Sequence, residues 1–330
     1  MELQKLWNGI MQTLNNAELL LSAYEKILRI RESELLICRE YRSDIFKTPV
    51  HLSIGAEAIS AGIKTVFPQT RIYGTYRNHH WFLAHDHSEL DFFSEMLGKE
   101  NSPTNGRAGS MHLICPEKGI ILNSAIVAST ISIAVGDAWA GSRNNTKERT
   151  ICFFGDGAIE EGVFWESLNF ASLKKVPIIF ICEDNGLAIH AHKESRQAFH
   201  FEAATKSFGV KFIRENGADV EKVIHAARAA MHAVEHGPVL LELGYHRFLE
   251  HVGVSEDYSQ NYRLFPVDRD KEFDPVYIAK SKLLNLGISE VRILELHEKV
   301  KSEIESAFSN ARNMKDASPL NVDKFVLRST

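Results

Sequence analysis

The chain has 330 residues, 44% of them hydrophobic and 25% charged, so it can bury a core without disulfides or a structural metal. A net charge of −5 with no long basic run gives no reason to expect a nucleic-acid partner. No run of roughly 18 apolar residues suggests a membrane span, no secretory signal opens the chain, and Cys38, Cys115, Cys152 and Cys182 lack CxxC spacing. The expectation is a soluble protein of a reducing compartment, the cytoplasm.

In chain order, Leu20, Leu21, Tyr24, Ile27, Leu28, Leu35, Leu36 and Ile37 sit among Glu, Arg and Lys at spacings that predict an amphipathic helix over 16–43, capped by Asn16. A second helix is expected after His51, with Ile54, Ala58, Ile59, Ala61 and Ile63 on one face and a stop near Pro68. Residues 69–89 read as irregular and aromatic, and a short helix follows over Leu90–Leu97. Small residues dominate Ser124–Gly141, which predicts a helix packed against other backbone and buried on most sides. Arg143–Arg149 reads as a charged surface loop.

Ile151–Phe154 and Ile178–Cys182 are short apolar runs that favour strands, with Phe164, Trp165, Leu168, Ala171 and Leu173 at helical spacing between them. Further on, a weak helix to Ser207, a strand over Val210–Ile213, a helix over Val220–His236 and a strand over Val239–Leu243 are expected. Gly244–Pro266 has little regular pattern and is rich in His, Arg and Tyr, as functional loops often are. Two helices, about Pro275–Leu286 and Ser289–Ala311, precede a surface tail. Strands alternating with helices predict an α/β fold with a mainly parallel sheet flanked by helices. With no linker composition, residues 1–330 read as one domain.

Chemistry concentrates in the stretch Thr150–Ile189. Gly155-Asp156-Gly157 follows one strand and Asn185 the next, and open parallel sheets bind ligands at those carboxyl ends. The glycines admit an anion to the backbone, and the amino end of the following helix favours negative charge. A carboxylate beside a phosphate needs a cation between them. Asp156 and the amide oxygen of Asn185 offer hard oxygen ligands that suit Mg²⁺. Gly-Asp-Gly or Asn-Gly alone is an ordinary turn, and it is their placement on consecutive strands that points to a diphosphate held through a divalent cation.

Asn185 lies 29 positions after Asp156, a spacing that resembles the thiamine diphosphate fingerprint. GDGAIEEGVFWESLNFASLKKVPIIFICEDN is similar to the alpha subunits of thiamine-dependent 2-oxo acid dehydrogenases, the decarboxylating components of pyruvate, branched-chain and acetoin dehydrogenase complexes. The likeness extends to IGAEA at Ile54, TYRNHH at Thr75, GRAGSMH at Gly106, the small-residue segment from Ala125, and the YHRFLEH and Tyr262-Arg263 loop. It implies Asp156, Asn185 and the backbone carbonyl of Leu187 as Mg²⁺ ligands, where relatives commonly carry Tyr at the last position. It implies that Tyr76, Arg77 and the backbone amides of Gly157 and Ala158 hold the diphosphate, with Gly155 also in the cofactor site, and that the backbone of Ala125 and Val127 holds the aminopyrimidine. His251 matches the active-site histidine of the long loop, and Arg247 its accompanying arginine.

The resemblance further implies a separate beta subunit that supplies the activating glutamate, a tetramer of two alpha and two beta subunits, and a lipoyl-bearing transacylase that accepts the acyl group from the 2-oxo acid. Departures exist. The family's HGHS is Leu249-Glu250-His251-Val252, its GQEA is GAEA at Gly55–Ala58, and its GIV is Ala125-Ile126-Val127. The altered loop motivates one alternative, a thiamine-dependent carboligase passing a two-carbon unit to an aldehyde or ketone, and Leu249 with Ala125 motivates another, a cofactor-binding subunit without turnover. His79, His80, His85 and His87 are too irregularly spaced for zinc, and Ser110 lacks a nucleophile elbow.

Overall fold

A computed structural model describes residues 2–85, 88–144 and 148–319, with side chains from residue 16 onward. Six strands form one parallel sheet: β1 Thr70–Thr75, β2 Ile120–Ser124, β3 Arg149–Gly155, β4 Ile178–Asp184, β7 Lys211–Asn216 and β8 Val239–Gly244, in the order β2-β1-β3-β4-β8-β7. A two-residue hairpin, β5 Leu187–Ala188 with β6 Ala191–His192, stands apart. The helices are α1 Glu2–Glu40, α2 Glu57–Val66, α3 His79–Leu83, α4 Glu89–Met96, α5 Ser129–Arg143, α6 Gly162–Leu173, α7 Phe201–Ser207, α8 Val220–Ala233, α9 Arg269–Phe273, α10 Pro275–Asn285 and α11 Glu290–Arg312.

Side chains alternate across the sheet, as the period of two requires. Ile151, Phe153, Ile179, Ile181 and Leu241 join the core beneath α1, α2, α8 and α11, while Cys152, Phe154, Phe180, Cys182 and Leu240 face the core beneath α5 and α6. Burial on both faces explains why β3 and β4 read as unbroken apolar runs. They pair directly, Thr150 opposite Ile178 and Gly155 opposite Glu183, with α6 as the crossover. The four cysteines are free, and Cys115, Cys152 and Cys182 are buried. Among the described residues no helix is long and apolar enough to cross a membrane.

Three expectations need correction. The segment 69–89 is not irregular: Thr70–Thr75 is an inner strand and His79–Leu83 a short helix. The first helix runs through Asn16 and begins at Glu2, so Asn16 is not its cap. Helix α5 starts at Ser129, because residues 120–124 form β2, and it is not buried on most sides within this chain. Ser132, Ile133, Gly136, Trp139 and Ala140 are exposed, and a methyl added at Gly136 would meet nothing within 4 Å. The small residues leave that face open rather than seating it on other backbone. His87, residues 145–147 of the expected charged loop and residues 320–330 of the expected tail lie outside the described residues.

Candidate active site

A cavity of about 460 Å³ opens at the carboxyl ends of β1, β3, β4 and β8. That size is within the usual range for a small-molecule site, roughly 300–1,000 Å³. Its walls bring together Tyr76, Arg77, Ala125, Val127, Gly155, Asp156, Gly157, Ala158, Asn185, Leu187, Arg247 and His251, the residues that the family resemblance implies for cofactor, metal and catalysis. His51, Glu161, Glu183 and Tyr245 line it as well.

Each wall follows from its element. Beyond β3, residues Asp156–Glu160 form a single 3₁₀ turn, and α6 begins only at Gly162, so the amides of Gly157 and Ala158 belong to that turn and not to the long helix. A Cβ at Gly155 would project into open space, whereas one at Gly157 would come within 3.0 Å of the Ala188 side chain. The turn is thus packed against the hairpin on one side and clear on the other.

Asp156 is 1% exposed, and burial together with nearby Asp184 pushes its carboxyl above the usual range while Arg196 opposes the shift. Arg196 Nη2 lies 2.5 Å from Asp156 Oδ2. Asn185 donates from Nδ2 to the Tyr245 hydroxyl at 2.8 Å, and its Oδ1 accepts the Leu187 amide at 3.0 Å. For Asp184, burial works against ionisation, but hydrogen bonding with Glu242 and the Lys193 ammonium hold its carboxyl below the usual range.

The opposite wall is cationic and aromatic. Arg77 donates from Nη1 to the Leu52 carbonyl at 2.5 Å and from Nη2 to the His251 carbonyl at 3.0 Å. The rings of His51 and Tyr76 lie 4.5 Å apart, and those of His51 and His251 5.2 Å apart. Burial, then the charges of Arg77 and of His251, push His51 down to about 3. Burial, Arg77 and Arg247 do the same to His251. Both rings are neutral at physiological pH, able to donate from one nitrogen and accept at the other. Among the described residues, Nδ1 of His51 is buried without a hydrogen-bond partner. Sequence reasoning placed His51 only as the start of a helix; a lone histidine before Leu52 carried no separate signal.

Arg247 lines the cavity, yet its donors are committed to protein: Nε to the Leu249 carbonyl, Nη1 to Ile189, and Nη2 to Asp257 and the Tyr262 hydroxyl. What it offers the cavity is charge and stem; its guanidinium fastens the long loop to the hairpin. Buried Asp257 also pairs with Arg263, so the Tyr262-Arg263 pair is the loop's internal staple. The histidines that tempted a zinc reading have separate partners. His79 bonds Glu34 and Ser110, while His80 meets Ser60 at 2.5 Å and Glu183 at 3.0 Å. Ser110 is fully buried in that contact, with no exposure to a substrate.

These features suit an anionic, diphosphate-sized group with a hard cation. An acidic oxygen and an amide oxygen stand on adjacent strand ends, the Gly155 side of the turn is clear, and an unpartnered imidazole nitrogen lies in the far wall. A sequence model for the dehydrogenase E1 component matches residues 25–320. The chain belongs to that family. Its members of this kind are alpha subunits of thiamine diphosphate-dependent 2-oxo acid dehydrogenases. Similar relatives named pyruvate dehydrogenase E1 component subunit alpha come from Zymomonas mobilis, 28% identical over 88% of this chain and 83% of the relative. Others are from Rhizobium meliloti, 30% identical over 81% and 78%, and Porphyra purpurea, 34% identical over 70% and 71%.

Proposed function

We propose that the cavity holds thiamine diphosphate through Mg²⁺, with Asp156, Asn185 and the Leu187 carbonyl as the protein ligands, and that the chain works as the alpha half of a pyruvate-like 2-oxo acid dehydrogenase with a separate beta subunit. The observation that carries this reading is the convergence of the sequence-derived candidates on one cavity at the carboxyl ends of β1, β3, β4 and β8. When bound, the cofactor would supply the nucleophilic carbon and the electron sink that decarboxylation of a 2-oxo acid requires.

The chain's own residues orient and tune that chemistry. Tyr245 turns the Asn185 amide so that its oxygen sits on the side of Leu187. Arg77 ties the His251 backbone to Leu52, one residue after His51, and so sets the spacing of the two imidazoles. Neutral His51 and His251 are placed to hydrogen-bond the substrate's carboxylate or carbonyl and to hold a proton there. Tyr76 packs against both rings.

A partner fits the open part of the site. Ile126 and Val127 at the rim are 71% and 44% exposed, and the bare face of α5 follows directly from them in the chain. The beta subunit would cover this edge and bring the activating glutamate, with a lipoyl-bearing transacylase as acceptor. Free cysteines suit a cytoplasmic setting.

Co-expression with the beta subunit, followed by assay of lipoyl reduction with 2-oxo acids, tests the reading. Reduction that needs both subunits and collapses in His251→Ala is expected. Carbon–carbon bond formation with an aldehyde in place of lipoyl reduction would favour the carboligase, and full activity in His251→Ala would remove His251 from the chemistry.

A further inference from the structure

The hairpin that carries Leu187 does not end at the cavity. Its return limb, β6, enters a single helical turn, Lys193–Ser195, and then Arg196 and Gln197. That limb returns two cations to the strand ends that hold the acids. Lys193 pairs with Asp184 and reaches Glu242 at 3.1 Å. Arg196 Nη2 takes Oδ2 of Asp156 at 2.5 Å, Nη1 spans both oxygens of Glu160 at 2.6 and 2.7 Å, and Nε is anchored on the Ala191 carbonyl at 3.1 Å. Gln197 adds bonds to the Asp156 carbonyl at 3.2 Å and to Glu160 at 2.6 Å. The Arg196 side chain is 11% exposed and that of Asp156 1%, so the pair is largely withdrawn from water.

We infer that Arg196 is a positioning residue for the bound cation: by occupying Oδ2 of Asp156 it presents only Oδ1 to the metal. This rests on the reading of Asp156 as a metal ligand. A carboxylate with both oxygens free can bind a hard cation through one oxygen or through two. Ca²⁺, with 6–8 ligands at about 2.3–2.6 Å, readily takes two; Mg²⁺ demands near-octahedral geometry at about 2.0–2.1 Å and takes one. An arginine fixed on Oδ2 therefore biases the site toward the smaller ion. Glu160 and the Ala191 carbonyl hold the guanidinium in place, so it cannot easily swing away to leave Asp156 bidentate. A clip that merely braced the turn would affect all cations alike.

The test is calorimetric titration of thiamine diphosphate into the complete alpha–beta complex, in Mg²⁺ or in Ca²⁺, for the parent protein, Arg196→Gln, Arg196→Lys and Asp156→Ala. Loss of the partner that orients a metal ligand typically weakens metal affinity roughly 10–100-fold. Arg196→Gln is expected to weaken Mg²⁺-supported binding by about tenfold or more and Ca²⁺-supported binding by clearly less, lowering the Mg²⁺/Ca²⁺ preference. Arg196→Lys, which keeps the charge but loses the fork, should shift the preference the same way by a smaller amount, and it decides the matter if Arg196→Gln fails to assemble. Equal weakening with both cations, or an unchanged preference, would overturn the inference. Parent-like binding by Asp156→Ala, which leaves no side-chain oxygen at that position, would instead overturn the metal reading beneath it.

Discussion

The Tyr245 hydroxyl accepts a hydrogen bond from Nδ2 of Asn185 at 2.8 Å, which commits the other end of that amide, Oδ1, to the Leu187 side of the cavity. Burial pushes the Tyr245 phenol up to about 12, so it remains a neutral hydroxyl across the working range. Tyr245→Phe removes the anchor and leaves the amide free to turn. One net hydrogen bond is worth about 1 kcal/mol, so Mg²⁺-dependent thiamine diphosphate affinity should fall by roughly fivefold. Titration calorimetry on the assembled complex reads this, and unchanged affinity would mean that the amide is oriented by something else.

Asp257 is the staple of the long loop. Its side chain is fully buried between Arg247 and Arg263, with the Tyr262 hydroxyl donating to it. Asp257→Ala strands two buried guanidinium groups, and breaking a buried pair from one side costs about 3–5 kcal/mol. Hydrogen exchange should rise across residues 245–263 while β3 and β4 stay protected. Exchange that is unaltered in the loop would show that the arginines are held by backbone carbonyls alone.

Buried histidines make stability depend on pH. His51 and His251 are both held down to about 3 in the folded chain, against about 6.5 in an unfolded one. The unfolded state therefore binds more protons below about pH 6.5, and stability falls as pH drops from there toward 3. Each histidine contributes a slope of up to about 1.4 kcal/mol per pH unit in that window. The double variant His51→Gln, His251→Gln should show a shallower loss in denaturant titrations between pH 6.5 and 4. An identical slope would place the sensitivity elsewhere.

Gly55 tests the wall that carries His51. Its φ is +107°, and a Cβ there would sit 2.0 Å from the His246 carbonyl oxygen. Gly55→Ala must move either the segment from His51 or the start of the long loop. A loss of about 1–3 kcal/mol is expected for such backbone strain alone, with the clash added, and a thermal melt measures it. A melting temperature equal to the parent's would indicate that the two segments are not rigidly packed.

The central βαβ unit was legible because β3 and β4 are buried on both faces and so read as continuous apolar runs. Strand β1 was not: Thr70 and Thr75 flank only a short apolar core, and Gly74 interrupts it. That glycine is explained only by the fold, since a Cβ would strike Trp81 at 2.2 Å. The exposed face of α5 is not legible in the sequence, because small residues signal close packing without saying whether the neighbour is on the same chain. The placement of Asp156 and Asn185 at adjacent strand ends followed from their spacing. The cations that manage the acids did not, because Lys193 and Arg196 return through a two-residue hairpin whose geometry has no periodic signature. The commitment of Arg247 to backbone carbonyls was equally invisible, as its partners lie up to 58 positions away.

Binding of thiamine diphosphate to the assembled complex, measured with and without Mg²⁺ in the parent and in Asp156→Ala, bears most directly on the proposed cofactor site. Saturable binding that requires Mg²⁺ and is lost in Asp156→Ala is predicted, with assembly of the subunits intact. Cofactor binding that persists undiminished in Asp156→Ala would contradict the assignment of this cavity as a metal-bridged diphosphate site.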